Sequence, residues 1–288
     1  MPNPVLNERT MQKASSTWAP PRSGSDYFPP VVEPSTGPVS GPMSDGPVSR
    51  WNAKVMTVNG TISATATLLV LLLASAAVGW IATGGPEEVI VDGSITYQYG
   101  IPALAWAGMI VGIGLVFLLM FKPQLARFVA PVYAIAQGFF VGAISRMYET
   151  FYDGIVVQAA GATIAVFATM LVLYRTRIIK VTDRFRRIVI TATIGIMLFY
   201  GVTLLIRLFA GPGAVSFLAS PSLLGIGFSI FVAGLAAFNL ALDFDFIERG
   251  AQQGLEKHFE WYAAFGLLVT IIWLYLELLR LLAKLRER

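Results

Sequence analysis

The chain of 288 residues has no cysteine and one histidine, His258. Disulfides and thiolate ligands are thereby excluded, a zinc cluster cannot be assembled, and the redox compartment leaves no trace in the sequence. Charge is scarce as well: 13% of residues are charged and 56% hydrophobic, whereas soluble domains carry about 25% charge. With a mean hydropathy of +0.67, this composition predicts a polytopic membrane protein. Enzyme signatures are missing too. The sequence contains no HExxH, CxxC, P-loop or GxSxG pattern, and its two neighbouring aspartates, Asp243 and Asp245, lie outside any GxGD loop. The expectation is a non-enzyme without a resident cofactor. The net charge of +4 does not argue for nucleic acid, because the cations flank apolar runs as the positive-inside rule requires.

What is present divides in two. Residues 1–54 form a Pro/Ser/Gly-rich segment, and ten of the sixteen prolines lie before residue 51. Too little apolar surface exists there to offset the entropy of ordering, so a disordered cytoplasmic tail is expected. It has no basic start followed by an apolar core, so it is not a secretory signal, and the first span serves as an uncleaved anchor. Residues 55–288 hold seven apolar stretches, at about 61–83, 101–121, 128–148, 155–174, 188–210, 222–243 and 261–282. Each matches the roughly 20 residues that cross a bilayer as a helix. The predicted fold is therefore an all-α membrane protein of seven transmembrane helices. Spacings such as Gly108 to Gly112 and Gly138 to Gly142 allow close helix approach, or only reflect the glycine usage of membrane helices.

Orientation follows from the loops. GGPEEVIVDGSITYQYG, after the first stretch, holds Glu87, Glu88 and Asp92 and no cation, whereas YRTRIIKVTDRFRR, after the fourth, holds Arg175, Arg177, Lys180, Arg184, Arg186 and Arg187. The second loop is assigned to the cytoplasm, and with it the N-terminus, beside Arg50 and Lys54. The same parity places the C-terminus outside although it carries Arg280, Lys284, Arg286 and Arg288. Either the strong loop overrides the short tail, or the seventh stretch is re-entrant.

Polar residues within the apolar stretches mark the candidate sites. From Gly225 to Leu242 the only strongly polar side chains are Ser229 and Asn239, and then Asp243 and Asp245 arrive. Asn239 and Asp243, one turn apart, share a helix face, while Asp245 lies about 200° around from Asp243. Asp243 is either a proton or cation site facing the interior or an ordinary polar exit from the span. Asp243, Asp245 and Glu248 also offer hard oxygens of the type calcium prefers. Gln137 needs an interhelical partner, with Tyr133 one turn earlier. Arg146 is within reach of Glu149, and Arg280 of Glu277. Thr270 either returns its hydroxyl to the preceding turn or faces a polar group. Trp261 and Tyr262 suit an interfacial belt.

Taken in order, the seven spans, PVYAIAQGFFVGAISRMYE in the third, NLALDFDFIERG at the end of the sixth and LYLELLRLL in the seventh resemble the Bax inhibitor-1, or transmembrane Bax inhibitor motif, family in its bacterial YccA-like, actinobacterial branch. The resemblance covers about residues 55 to 288. It implies a bundle with helix 7 at the centre in a bacterial plasma membrane, and a pH-sensitive calcium or cation leak gated by two aspartates on helices 6 and 7. The first falls on Asp243. At the position of the second this chain has Thr270, with Glu277 seven residues further on. A family cation at the inner end of helix 2 has Lys122 or Arg127 as nearest counterparts. Two carboxylates sharing a proton would respond near neutral pH, and Thr270 removes the repulsive partner. The site expected from sequence comprises Asp243, Asp245, Asn239 and Thr270, with Glu248, Glu277, Gln137, Lys122 and Arg127 around it and calcium as the candidate ion at Asp243 and Asp245. The alternative is a non-conducting interaction protein whose tail modulates a membrane protease or another partner.

Overall fold

The structure, a computed structural model, describes residues 55–85, 87–91, 94–98, 102–210 and 220–288. The N-terminal segment assigned above as a tail, residues 1–54, lies outside them. Seven helices follow: α1 (Val58–Ala82), α2 (Ala103–Phe121), α3 (Ala126–Phe151), α4 (Ile155–Arg175), α5 (Asp183–Ala210), α6 (Leu223–Gln252) and α7 (His258–Arg286). All seven are long and apolar enough to cross a membrane. Between α1 and α2 a two-stranded antiparallel hairpin, β1 (Glu87–Val91) and β2 (Ser94–Gln98), pairs Val91 with Ser94. Both strands contain β-branched residues, which suit extended pairing.

Helix starts follow local chemistry. Thr57 accepts from the Gly60 amide at 2.9 Å to open α1, and Ser222 accepts from the Gly225 amide at 3.1 Å to open α6. For α4 the cap comes from the preceding helix. Glu149 receives the amides of Gly154 and Val156 at 2.7 and 3.0 Å, a carboxylate at the positive end of a helix dipole. Arg146, expected as the partner of Glu149, lies over the Trp80 ring at 5.3 Å instead.

Glycine spacing decides the α1–α3 seam. A Cβ on Gly142 would come within 1.9 Å of the Ala76 carbonyl oxygen, and one on Gly108 within 2.6 Å of that of Ala136, seating α2 on α3. These spacings are contacts and not mere glycine usage. Gln137 joins the second seam, its Nε2 donating to the Gly108 carbonyl at 3.5 Å. Tyr133 does not join Gln137; it meets Phe265 edge-on at 4.8 Å.

Helix α7 packs against α1, α3, α4 and α6. Its Ala264, Phe265, Leu268 and Ile272 belong to a core with α1 and α3, while Ala263, Leu267 and Leu274 belong to a second with α4 and α6. A helix buried on more than one face must be apolar nearly all round, and α7 is. Trp261 and Tyr262, near the start of α7, are half-buried against the first core.

Both ends of α7 are tied down, on opposite sides of the bundle. At its start Glu260 accepts from the Thr57 amide and hydroxyl at 3.0 and 2.9 Å, and the Met56 amide donates to the Leu255 carbonyl at 2.6 Å. At its end Arg286 donates to the Asp153 carbonyl at 2.6 Å, and Tyr152 donates to Glu287. The Tyr152 phenol, pushed up to about 12 by burial and then by the Glu287 carboxylate, stays protonated and donating at physiological pH. Helix α7 therefore runs unbroken from one side of the bundle to the other and does not turn back as a re-entrant segment would. Its terminal cations are engaged in the bundle: Arg280 with Glu277, buried Lys284 with the Gly225 carbonyl and Ser229 hydroxyl at 3.0 and 2.8 Å, and Arg286 with Asp153. Arg288 alone of the four is left as an exposed charge with no partner among the described residues.

Candidate functional site

Helix α6 does not end at its aspartates but continues to Gln252, which turns Asp243, Asp245 and Glu248 to different neighbours. Asp245 is buried and held by two guanidiniums, Arg186 at 2.6 Å from α5 and Arg249 at 2.9 Å one turn on. Arg249 also reaches the Val181 carbonyl at 3.2 Å. Glu248 takes Arg177 at 2.6 Å, Gln252 at 3.3 Å and the Tyr174 hydroxyl. These pairs fasten the α4–α5 loop to the end of α6. The expected calcium cluster is corrected accordingly: the oxygens of Asp245 and Glu248 are occupied by cations and donors, and among the described residues no three acidic or histidine side chains converge as a metal site. Asp243 and Asp245 have different neighbours.

Asp243 is different. Its Oδ2 is sealed from the surface without a partner, as is Trp273 Nε1. Leaving a buried acceptor unpaired costs about 1–3 kcal/mol, more if it is charged. The Thr270 hydroxyl faces this carboxyl, and a Cβ on Gly266 would lie 3.8 Å from Asp243 Oδ1. Thr270 also donates to the Gly266 carbonyl at 3.2 Å. A threonine hydroxyl has one proton. It can give that proton to an ionised Asp243, or keep it on Gly266 and accept from a protonated one. Thr270, where the resemblance placed the second aspartate, lines the same cleft as Asp243.

The carboxyl borders a cleft of about 660 Å³. Its walls are helical faces: Val116 and Met120 on α2, Arg186 and Ile190 on α5. Its floor is Asn239, Asp243, Phe246 and Gly250 on α6, with Tyr262, Gly266 and Thr270 on α7. The first set on the floor repeats every three to four residues, as does the second, so each is one stripe. Asn239 shares the face of Asp243 as expected, and its amide donates to Thr193 Oγ1 at 2.8 Å and the Leu235 carbonyl at 2.9 Å. All the cleft's polar rim lies on the side of the bundle that carries the cationic α4–α5 loop.

Other expected residues stay outside the cleft. Glu277 is buried near the far end of α7, receiving Tyr200 at 2.8 Å and Arg280 at 3.0 and 3.2 Å. Local neutralisation accounts for it. Gln137 belongs to the α2–α3 seam. Lys122 and Arg127 are exposed and border no part of the cleft; its cations are Arg186 and Arg249, from α5 and α6. Sequence reasoning passed over both, one lying inside a run of loop cations and the other beyond the expected end of helix 6.

Six membrane-length helices packed about a seventh, with apolar outer faces exposed, define a multi-pass membrane protein in contact with the lipid bilayer. A family model described as Bax inhibitor 1 like matches residues 3–287, and the chain belongs to that family. No curated protein matches the chain.

Proposed function

We propose that the protein is a non-enzymatic, pH-responsive cation leak of a bacterial plasma membrane, of the YccA-like branch, with its N-terminus and cationic loop in the cytoplasm. The observation that carries this is the unpaired Asp243 Oδ2 beside a cleft open to one side of the bundle. Protonation of Asp243 exchanges its hydrogen-bond role with Thr270, and ionisation offers a passing cation a carboxylate. Calcium is the candidate cargo. Asp243, Asn239 and Thr270 supply fewer oxygens than the six to eight that calcium takes, so the ion travels partly hydrated. No resident cofactor is part of this mechanism.

Calcium entry into dye-loaded liposomes between about pH 5 and 8, with the unaltered chain and Asp243→Asn side by side, tests it. Flux that varies with pH in the native chain and not in the variant is expected. Native flux equal to that of empty vesicles throughout would sink the proposal.

The proline-rich residues 1–54 favour a second reading, in which the tail docks a membrane protease or another partner without conduction. Deleting residues 1–50 leaves flux intact under the first reading and abolishes partner capture under the second.

A further inference from the structure

The same cleft has a second chemistry that a cation path does not use. Its lining is graded. In its depth the apolar walls of Val116, Ile190, Phe265 and Val269 flank a polar floor of Asn239, Asp243 and Thr270; at the mouth stand the guanidiniums of Arg186 and Arg249. Both arginines are half-exposed, at 39% and 44% of the side chain, and they share a single carboxylate, Asp245. The mouth therefore retains positive charge, and exposed Arg175 at the end of α4 and Lys180 in the adjoining α4–α5 loop add to it. On α7 the cleft extends from Tyr262 to Thr270, about 12 Å at 1.5 Å per residue, close to the roughly 15 Å half-thickness of a hydrocarbon core. Its volume of about 660 Å³ lies within the range of about 300–1,000 Å³ typical of ligand sites. Ile190 and Met120, on the two walls, are exposed apolar side chains, suited to contact with acyl chains.

We propose that the cleft binds one anionic phospholipid, its phosphate at Arg186 and Arg249 and one acyl chain along Val116, Ile190, Phe265 and Val269. A guanidinium presents planar, paired donors that suit phosphate oxygens, and basic pockets between membrane helices suit anionic headgroups. A soluble phosphate ester would use the rim alone and leave the apolar depth unfilled. Lipid binding goes beyond the leak and does not depend on it, because it is read without flux.

The test is native mass spectrometry of the full chain released from detergent after titration with phosphatidylglycerol or phosphatidylcholine. Phosphatidylglycerol should bind about tenfold or more tightly than phosphatidylcholine, given two basic side chains at the headgroup. Ile190→Trp, one turn beyond Arg186 on α5, narrows the cleft while keeping both arginines, and should weaken phosphatidylglycerol about tenfold. Arg186→Gln combined with Arg249→Gln should bring the two lipids to equal affinity; if that variant does not fold, Ile190→Trp decides. Glycerol 3-phosphate in excess should leave the bound lipid in place. Equal binding of both lipids by the native chain, full retention by Ile190→Trp, or displacement by glycerol 3-phosphate would each overturn the proposal. A protein that passes no ions yet meets the lipid criteria would refute the leak and leave this site standing.

Discussion

Asp243 and Asp245 are two residues apart on one helix, yet their surroundings are opposite. Asp245 has a charge-assisted bond to each carboxylate oxygen, whereas Asp243 keeps one oxygen buried and unpaired. Charge-assisted bonds contribute about 1.5–3 kcal/mol each when buried, and half-exposed arginines bring that down through solvent screening. Asp245→Asn is therefore expected to lower stability by about 1–3 kcal/mol, and Asp243→Asn by less than about 1 kcal/mol, since no ionic partner is lost. Thermal melting of the two variants in detergent gives the ranking, and a larger loss at Asp243 would contradict it. Arg186→Gln and Arg249→Gln should each be mild, because Asp245 keeps the other arginine, while the double variant should cost more than their sum. Strict additivity in that cycle would mean the pairs are not shared. The i, i+4 spacing of Asn239 and Asp243 was legible from sequence because it is local. The Arg186–Asp245 pair spans 59 positions and has no local signal.

At the scale of elements, hydropathy located all seven helices but set the end of helix 6 nine residues short, because a carboxylate inside a span reads as an exit. With Arg249, Arg186 and Arg177 neutralising Asp245 and Glu248, the helix has no reason to stop. The small-xxx-small spacings were likewise visible, though not which helix each would meet. Gly142 faces a backbone carbonyl of α1 rather than a movable side chain, so a larger residue must part the helices. Overpacking of that kind costs about 1–3 kcal/mol or more. Gly142→Val should therefore melt well below the native protein, whereas Gly114→Val, where an added Cβ meets nothing within 4 Å, should melt near it. Similar melting of the two would show that the α1–α3 seam is looser than its geometry.

For the whole molecule, the unresolved question in the sequence was the seventh helix. Counting cations set Arg280, Lys284, Arg286 and Arg288 against the α4–α5 loop, and the count misleads because it treats every cation as a free loop charge. Arg280 neutralises Glu277, Lys284 is only 3% exposed and bonded to α6, and Arg286 holds the α3–α4 turn. A charge already paired or hydrogen-bonded within the bundle gains little from the negative side of a membrane potential. The α4–α5 loop and the helix ends beside it keep exposed Arg175, Lys180, Arg184 and Arg187, so the positive-inside rule predicts that this side faces the cytoplasm and that α7 ends on the other. The absence of cysteine makes this directly measurable. Single substitutions Lys180→Cys and Arg288→Cys, both at exposed positions, are treated with a membrane-impermeant maleimide on intact cells. Position 288 should label without lysis, and position 180 only after it. Labelling of both on intact cells would place the two ends of α7 on one side and contradict its crossing. Labelling of 180 alone would preserve the crossing but invert the protein, putting the mouth of the Asp243 cleft outside the cell.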